Sequence, residues 1–210
     1  DLKVFEDEVT RKSTPTIFFL GRHEPRKGLE TLIRSMTFLP NEVELQIASE
    51  GPETDRLRDL AKEDRRITWL GRISEEEKIK RLQESSVLCA PSLGGESFGI
   101  VLLEAMAART PVVASSIPGY AKLTRNGKDA ILTETGDPIS LSDGLRVALF
   151  NQLATQPVVK SARERAEEFS MDKLAQQYLQ IYERALNLTP TVPLAKGRKF
   201  FSGGLNDQKD

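Results

Sequence analysis

The sequence predicts an α/β domain on a doubly wound, mostly parallel sheet of about six strands, followed by a helical C-terminal extension. Three observations carry that prediction. Six short apolar runs are bounded by turn residues, helix-spaced apolar positions fill most of the gaps, and hairpin turns rarely join consecutive runs. Strands that alternate with helices pair in parallel through right-handed crossovers.

The elements follow in order. "TIFFLG" (16–21) reads as the first buried strand. Leu29, Leu32, Ile33 and Met36 then fall at i, i+3, i+4 and i+7, one face of a helix. "VELQIA" (43–48) is the second strand, and Leu57 with Leu60 repeats the helical spacing more briefly. "ITWLG" (67–71) is the third. Ser74 followed by Glu77 reads as a capping box, opening a helix that carries Ile79 and Leu82. "SVLCAP" (86–91), "PVVAS" (111–115) and "AILT" (130–133) complete the strands, with a helix expected from about Phe98 between the first two. The last third is helical: "ISLSDGLRVALFNQL", "KSARERAEEF" and "SMDKLAQQYLQIYERAL". Residues 188–210 are rich in Pro, Gly and charge and read as a disordered tail. Its "KGRKFF" could alternatively touch a membrane surface.

Composition narrows the function. A net charge of -1 gives no overall reason to expect nucleic acid. The single cysteine, Cys89, excludes an intrachain disulfide and reads as a small packed core side chain. No apolar run reaches the roughly 18 residues of a membrane span, and no signal peptide is visible. The first residue is Asp1, from which a fragment of a longer chain is expected.

In doubly wound folds ligands bind beyond the carboxyl ends of the strands, where glycine-rich loops lead into helices. Two loops here have the chemistry for an anionic ligand. "GRHEPRKG" begins at Gly21 and places Arg22 and Lys27 around a short turn. "LGGE" sets Gly94, Gly95 and Glu96 ahead of a helix. Glycines admit a ligand close to the backbone, helix N-terminal N–H groups favour phosphate, and two cations would complete a diphosphate site. His23, the only histidine, reads as a loop residue without assigned chemistry.

The second loop poses a problem of charge. Glu104 lies among Ile100, Val101, Leu102, Leu103, Ala105 and Met106, and a carboxylate in an apolar run needs a partner. Eight helical residues from Glu96 would rise about 12 Å, close to the span from a sugar to a ribose across a diphosphate. Two readings stand for Glu104: ribose hydroxyls meet it, or a core Arg or Lys does. Glu96 is either a sugar ligand or an ordinary acid near a helix start. Arg22, Lys27 and Lys78 each have a second reading as solvated surface cations.

"GGESFGIVLLEAMAA" resembles the E-x7-E motif of retaining GT-B glycosyltransferases, and "LGRHEPRKG" resembles their phosphate-binding loop. The resemblance covers roughly residues 14–185 and is closest to phosphatidylinositol α-mannosyltransferases, which share the "EPRKG" and "LGGESFGIVL" wording. It implies a Rossmann-like, nucleotide-sugar-binding domain over 1–187, the C-terminal half of a GT-B fold. Arg22 and Lys27 would bind the donor diphosphate and, with Glu96 on the mannose hydroxyls, act in catalysis. Glu104 would bind the ribose, while Gly21, Gly95 and the backbone at Phe98, Gly99 and Ile100 would lie along the donor. Ile73 and Lys78 would lie near the guanine. The implied donor is GDP-mannose, with no cofactor and no metal, because cations and helix N–H groups neutralise the diphosphate. A lipid or glycan acceptor, phosphatidylinositol by resemblance, would be held by an N-terminal domain that this chain lacks. The full enzyme would be cytoplasmic, peripherally bound at the inner face of the plasma membrane. Arg109 stands where the family usually has glycine, and "SSIPGYAK" lacks the family's glutamate. A non-catalytic nucleotide-sugar-binding module and a GT-B-type epimerase or phosphorylase remain as alternatives.

Overall fold

A strand covered by helices on both faces needs apolar side chains on both, and the central runs supply them. In the computed structural model, which describes residues 2–5 and 13–188, Ile17 and Phe19 enter one core layer while Phe18 enters the other. Val87 and Cys89 alternate with Leu88 and Ala90 in the same way. The six strands are β1 (Thr16–Leu20), β2 (Glu44–Ala48), β3 (Ile67–Gly71), β4 (Val87–Ala90), β5 (Val112–Ser115) and β6 (Ile131–Thr133). All neighbouring strands pair in parallel, in the order β3-β2-β1-β4-β5-β6. Each expected strand is present within a residue or two of its run.

The helices are α1 (Leu29–Ser35), α2 (Thr54–Ala61), α3 (Glu75–Glu84), α4 (Ile100–Ala107), α5 (Pro118–Leu123), α6 (Pro138–Phe150), α7 (Gln152–Glu167) and α8 (Met171–Leu188). Helices α1, α2 and α6 supply one core layer, through residues such as Leu32, Leu57 and Leu145. Helices α3, α4 and α7 supply the other, through Leu82, Leu102 and Ala162. Leu29, Leu32, Ile33 and Met36 are all buried, as their spacing requires.

Four differences from the sequence reading have local causes. Leu60 is 40% exposed, because α2 buries Thr54, Leu57 and Ala61 instead, a narrower stripe. Helix α4 starts at Ile100 rather than Phe98, because Gly99 stands at φ 81°, outside helical space. "PGYAKL" forms the short helix α5, started by Pro118 in its first turn. Helix α8 continues through Leu188, one residue into the expected tail. The remainder of that tail lies outside the described residues. Ser74 does cap α3, its Oγ accepting from Glu77 N at 3.1 Å.

The strand order reverses between β1 and β4. Their carboxyl ends therefore release the two loops singled out above, 21–28 and 91–99, side by side at the switch point.

Candidate functional site

The loop after β1 is shaped by its own sequence. Pro25 opens a 3₁₀ turn over Pro25–Lys27, and Gly28 ends it in the left-handed region at φ 68°. That turn presents Arg26 and Lys27 towards the loop after β4. Leu93 N donates to Arg26 O at 2.7 Å, joining the two backbones. The side chains complete the junction: Lys27 Nζ lies 2.5 Å and Arg26 Nη1 2.9 Å from Glu96 Oε1. Glu96 is brought there by close packing, because a Cβ on Gly119 of α5 would stand 2.0 Å from Glu96 O. Tyr120, beside it, shares a hydrogen bond of 3.0 Å with Ser92, and burial pushes its phenol up to about 12.

The second acid has a protein partner. Lys78 Nζ of α3 lies 2.6 Å from Glu104 Oε1 and 2.6 Å from Glu75 Oε2. Burial works against the Lys78 charge, but hydrogen bonds to Glu104 and Glu75 outweigh it and hold its pKa above the ordinary lysine value. The carboxylate within the apolar run is thus answered by a lysine from the neighbouring helix.

The sequence-derived residues gather unevenly. Gly21 follows the end of β1, and Gly95 and Gly99 punctuate the second loop in left-handed conformations. Phe98 and Ile100 are exposed at the start of α4, with the Phe98 ring edge-on to Phe169 at 5.3 Å. Ile73 packs partly buried against the core near α3. Arg22 stands apart from Glu96: it is mostly exposed and pairs with Glu24 at 3.1 Å. Only the steps from Ile100 to Glu104 are helical, a rise of about 6 Å, so the loop 96–99 sets the rest of the separation between the two acids.

Arg26 and Glu24 were missed from sequence. Glu24 bridges Arg22 and Arg26, receiving Arg26 Nε at 2.8 Å. The signal available for Arg26 was its place beside Lys27 in a turn closed by Pro and Gly. Among the described residues no cluster of three or more His, Cys, Asp and Glu side chains could hold a metal ion. Among them, too, no helix is long and apolar enough to cross a membrane.

His23 is a loop residue, as its sequence position suggests, but its side chain is buried beneath the loop. It is 1% exposed, its Nδ1 meets Thr54 Oγ1 at 2.8 Å, and Trp69 packs edge-on to its ring. Burial lowers its pKa and Arg58 adds to that, against the Ala48 carbonyl and Glu50, which favour the charged ring. The folded pKa is below the ordinary value of about 6.5, so on acidification the unfolded chain takes up this proton first. Stability is therefore expected to fall as pH drops from about 6.5 towards the lower folded value, and to be unaffected by this group above it. Melting temperatures across this range check it: His23→Gln should show a shallower loss, and equal slopes would refute the role.

Chain-wide comparison agrees with the geometry. Residues 2–168 match the family model described as glycosyl transferases group 1. Phosphatidyl-myo-inositol mannosyltransferase of Mycobacterium leprae is 35% identical over 184 residues, covering 86% of this chain and 49% of that protein. The protein of the same name from Mycolicibacterium smegmatis is 36% identical over 177 residues, covering 80% and 45%. The chain thus spans about half the length of the curated relatives it matches. Among solved structures, a glycosyltransferase of Rickettsia africae superposes with a TM-score of 0.76 at 20% identity, over 90% of this chain and 56% of that one. HepE of Anabaena, in complex with UDP-glucose, gives 0.73 at 22% identity, over 82% and 49%. These superpositions agree with the Rossmann-like half of a GT-B fold. The chain belongs to the group 1 glycosyl transferases.

Proposed function

We propose that this chain is the donor-binding half of a retaining mannosyltransferase that moves mannose from GDP-mannose to a lipid hydroxyl, with phosphatidylinositol as the acceptor. The observation that carries this reading is the Lys27–Arg26–Glu96 junction at the switch point, beside the start of α4. The names of the relatives favour mannose and phosphatidylinositol. In this reading Lys27, Arg22 and the N–H groups at the start of α4 take the charge that builds on the departing diphosphate, which is electrostatic catalysis. Glu96 turns to the mannose hydroxyls, Glu104 holds the ribose, and Ile73 and the stem of Lys78 border the guanine. No metal is needed, since fixed cations supply the neutralisation. The acceptor pocket belongs to the other half of the enzyme, which meets this one over the donor and excludes water. By itself this chain binds donor without transferring sugar. The whole enzyme works in the cytoplasm at the inner face of the plasma membrane.

The free state adds a consequence. Glu96 holds the two cations that the diphosphate would take, so it competes with a nucleotide lacking sugar. Glu96→Gln is expected to tighten GDP by roughly 1.4- to 5-fold, the scale of exposed ion pairs. It should also remove much of the extra affinity contributed by mannose. Calorimetry with GDP, UDP and ADP, each with and without its sugar and in excess EDTA, tests the whole reading. A preference for UDP would overturn the mannosyl assignment, and loss of binding in EDTA would overturn the metal-free site. Parallel effects of Glu96→Gln on GDP and GDP-mannose would remove its sugar role.

A further inference from the structure

The loop that carries Glu96 is rich in glycine. Gly94, Gly95 and Gly99 fall within 92–99, the last two in the left-handed region at φ 73° and 81°. Glycine gives up more backbone freedom on folding than any other residue, so a fixed shape here has to be imposed from outside the loop. Helix α5 meets it at three points. Tyr120 Oη and Ser92 Oγ share a hydrogen bond of 3.0 Å where the loop begins. A Cβ on Gly99, where it ends, would stand 2.8 Å from Cε1 of the same tyrosine ring. Between these two points the Glu96 carbonyl lies against Gly119.

Tyr120 is a fixed post for this contact. It and Ser92 are each 2% exposed, so their bond is shielded from water and neither hydroxyl could lose the other without a penalty. Helix α5 is itself anchored at its far end, where Arg165 Nε of α7 donates to Leu123 O at 3.1 Å. At such low exposure the Tyr120 ring offers a ligand almost no surface. Whatever it contributes to binding passes through the loop.

We infer that Tyr120 is a positioning residue for the donor: it holds both ends of the 92–99 loop, so that Glu96 and the first turn of α4 are in place before the nucleotide sugar arrives. The inference takes its ligand from the donor reading above. A loop ordered in advance spares the complex the entropy of ordering it, and the saving appears as affinity.

Two conservative variants test this on the present chain. Tyr120→Phe deletes the hydroxyl and keeps the ring, while Ser92→Ala breaks the same bond from the loop side. Each is expected to weaken GDP and GDP-mannose about three- to tenfold by calorimetry. The double variant should lose no more than about twofold beyond either single one, because both changes remove one bond. Hydrogen exchange supplies a readout that needs no ligand. The amides of Leu93 and Leu102 are bonded to Arg26 O at 2.7 Å and Gly99 O at 2.9 Å. In the free variants their exchange should rise at least tenfold more than that of the β2 amides. If Tyr120→Phe does not fold, Ser92→Ala decides by the same two measurements. A lower melting temperature with unchanged affinity, and with Leu93 and Leu102 no more affected than β2, would reduce Tyr120 to core packing and overturn the inference. Fully multiplicative losses in the double variant would overturn it too. A parent chain that fails to bind GDP, with faster exchange at Leu93 and Leu102 in the variants, would count against the donor reading and leave the hold of Tyr120 on the loop standing.

Discussion

Lys27→Ala is expected to weaken GDP binding by roughly 10- to 150-fold, the largest single loss at the diphosphate end of the site. A hydrogen bond to a charged group contributes about 1.5–3 kcal/mol, which converts to that range of affinity. The environment of Lys27 supports the upper part of it. Its side chain is 21% exposed, against 48% for Arg26 and 65% for Arg22, so water screens its charge least of the three. Removing it also leaves Glu96 closer to an uncompensated charge, which would repel the phosphates. Arg26→Ala should therefore cost less, within about tenfold. Calorimetry in excess EDTA checks the order of the three cations, with circular dichroism confirming that each variant is folded. If Lys27 served only to hold Glu96, its loss would lower the melting temperature and leave GDP affinity in place. That outcome would remove Lys27 from the donor site.

The same residues show how far the sequence could be read. The four inner strands were legible because they are buried on both faces, and continuous apolar runs between turn residues have few other uses; β3 and β6, at the sheet edges, are only partly buried. Their parallel pairing followed from the helices between them. The loop conformations were less accessible. Glycine at position 99 could have lain inside α4, and its left-handed φ of 81° is a property of the loop as a whole. The packing of Gly119 on the Glu96 backbone is a contact between segments far apart in the chain, which no periodicity records. Arg26 was overlooked for a similar reason, since its role comes from the loop after β4 rather than from its own.

Glu104 shows where both kinds of reading meet. A lysine from α3 at 2.6 Å is a sufficient reason for a carboxylate to persist in an apolar run. The pair leaves the Glu104 side chain 24% exposed, so it is not sealed into the core. If the ribose is a second partner, the effect must depend on the ribose hydroxyls themselves. The chain is then expected to bind GDP about 10- to 150-fold more tightly than 2′,3′-dideoxy-GDP, the worth of a hydrogen bond to a charged acceptor. Glu104→Gln should lose most of that difference, binding the two nucleotides within about threefold of each other. The comparison is a double-mutant cycle with one change on the ligand, so general damage to the site cancels. Glutamine still offers Lys78 an acceptor oxygen, which limits the structural disturbance. Melting temperatures report what disturbance remains. A purely structural Glu104–Lys78 pair makes the opposite forecast: Glu104→Gln lowers the melting temperature, and the preference for GDP over its dideoxy form stays as it was. Dideoxy-GDP binding as tightly as GDP to the unaltered chain would remove the ribose contact altogether.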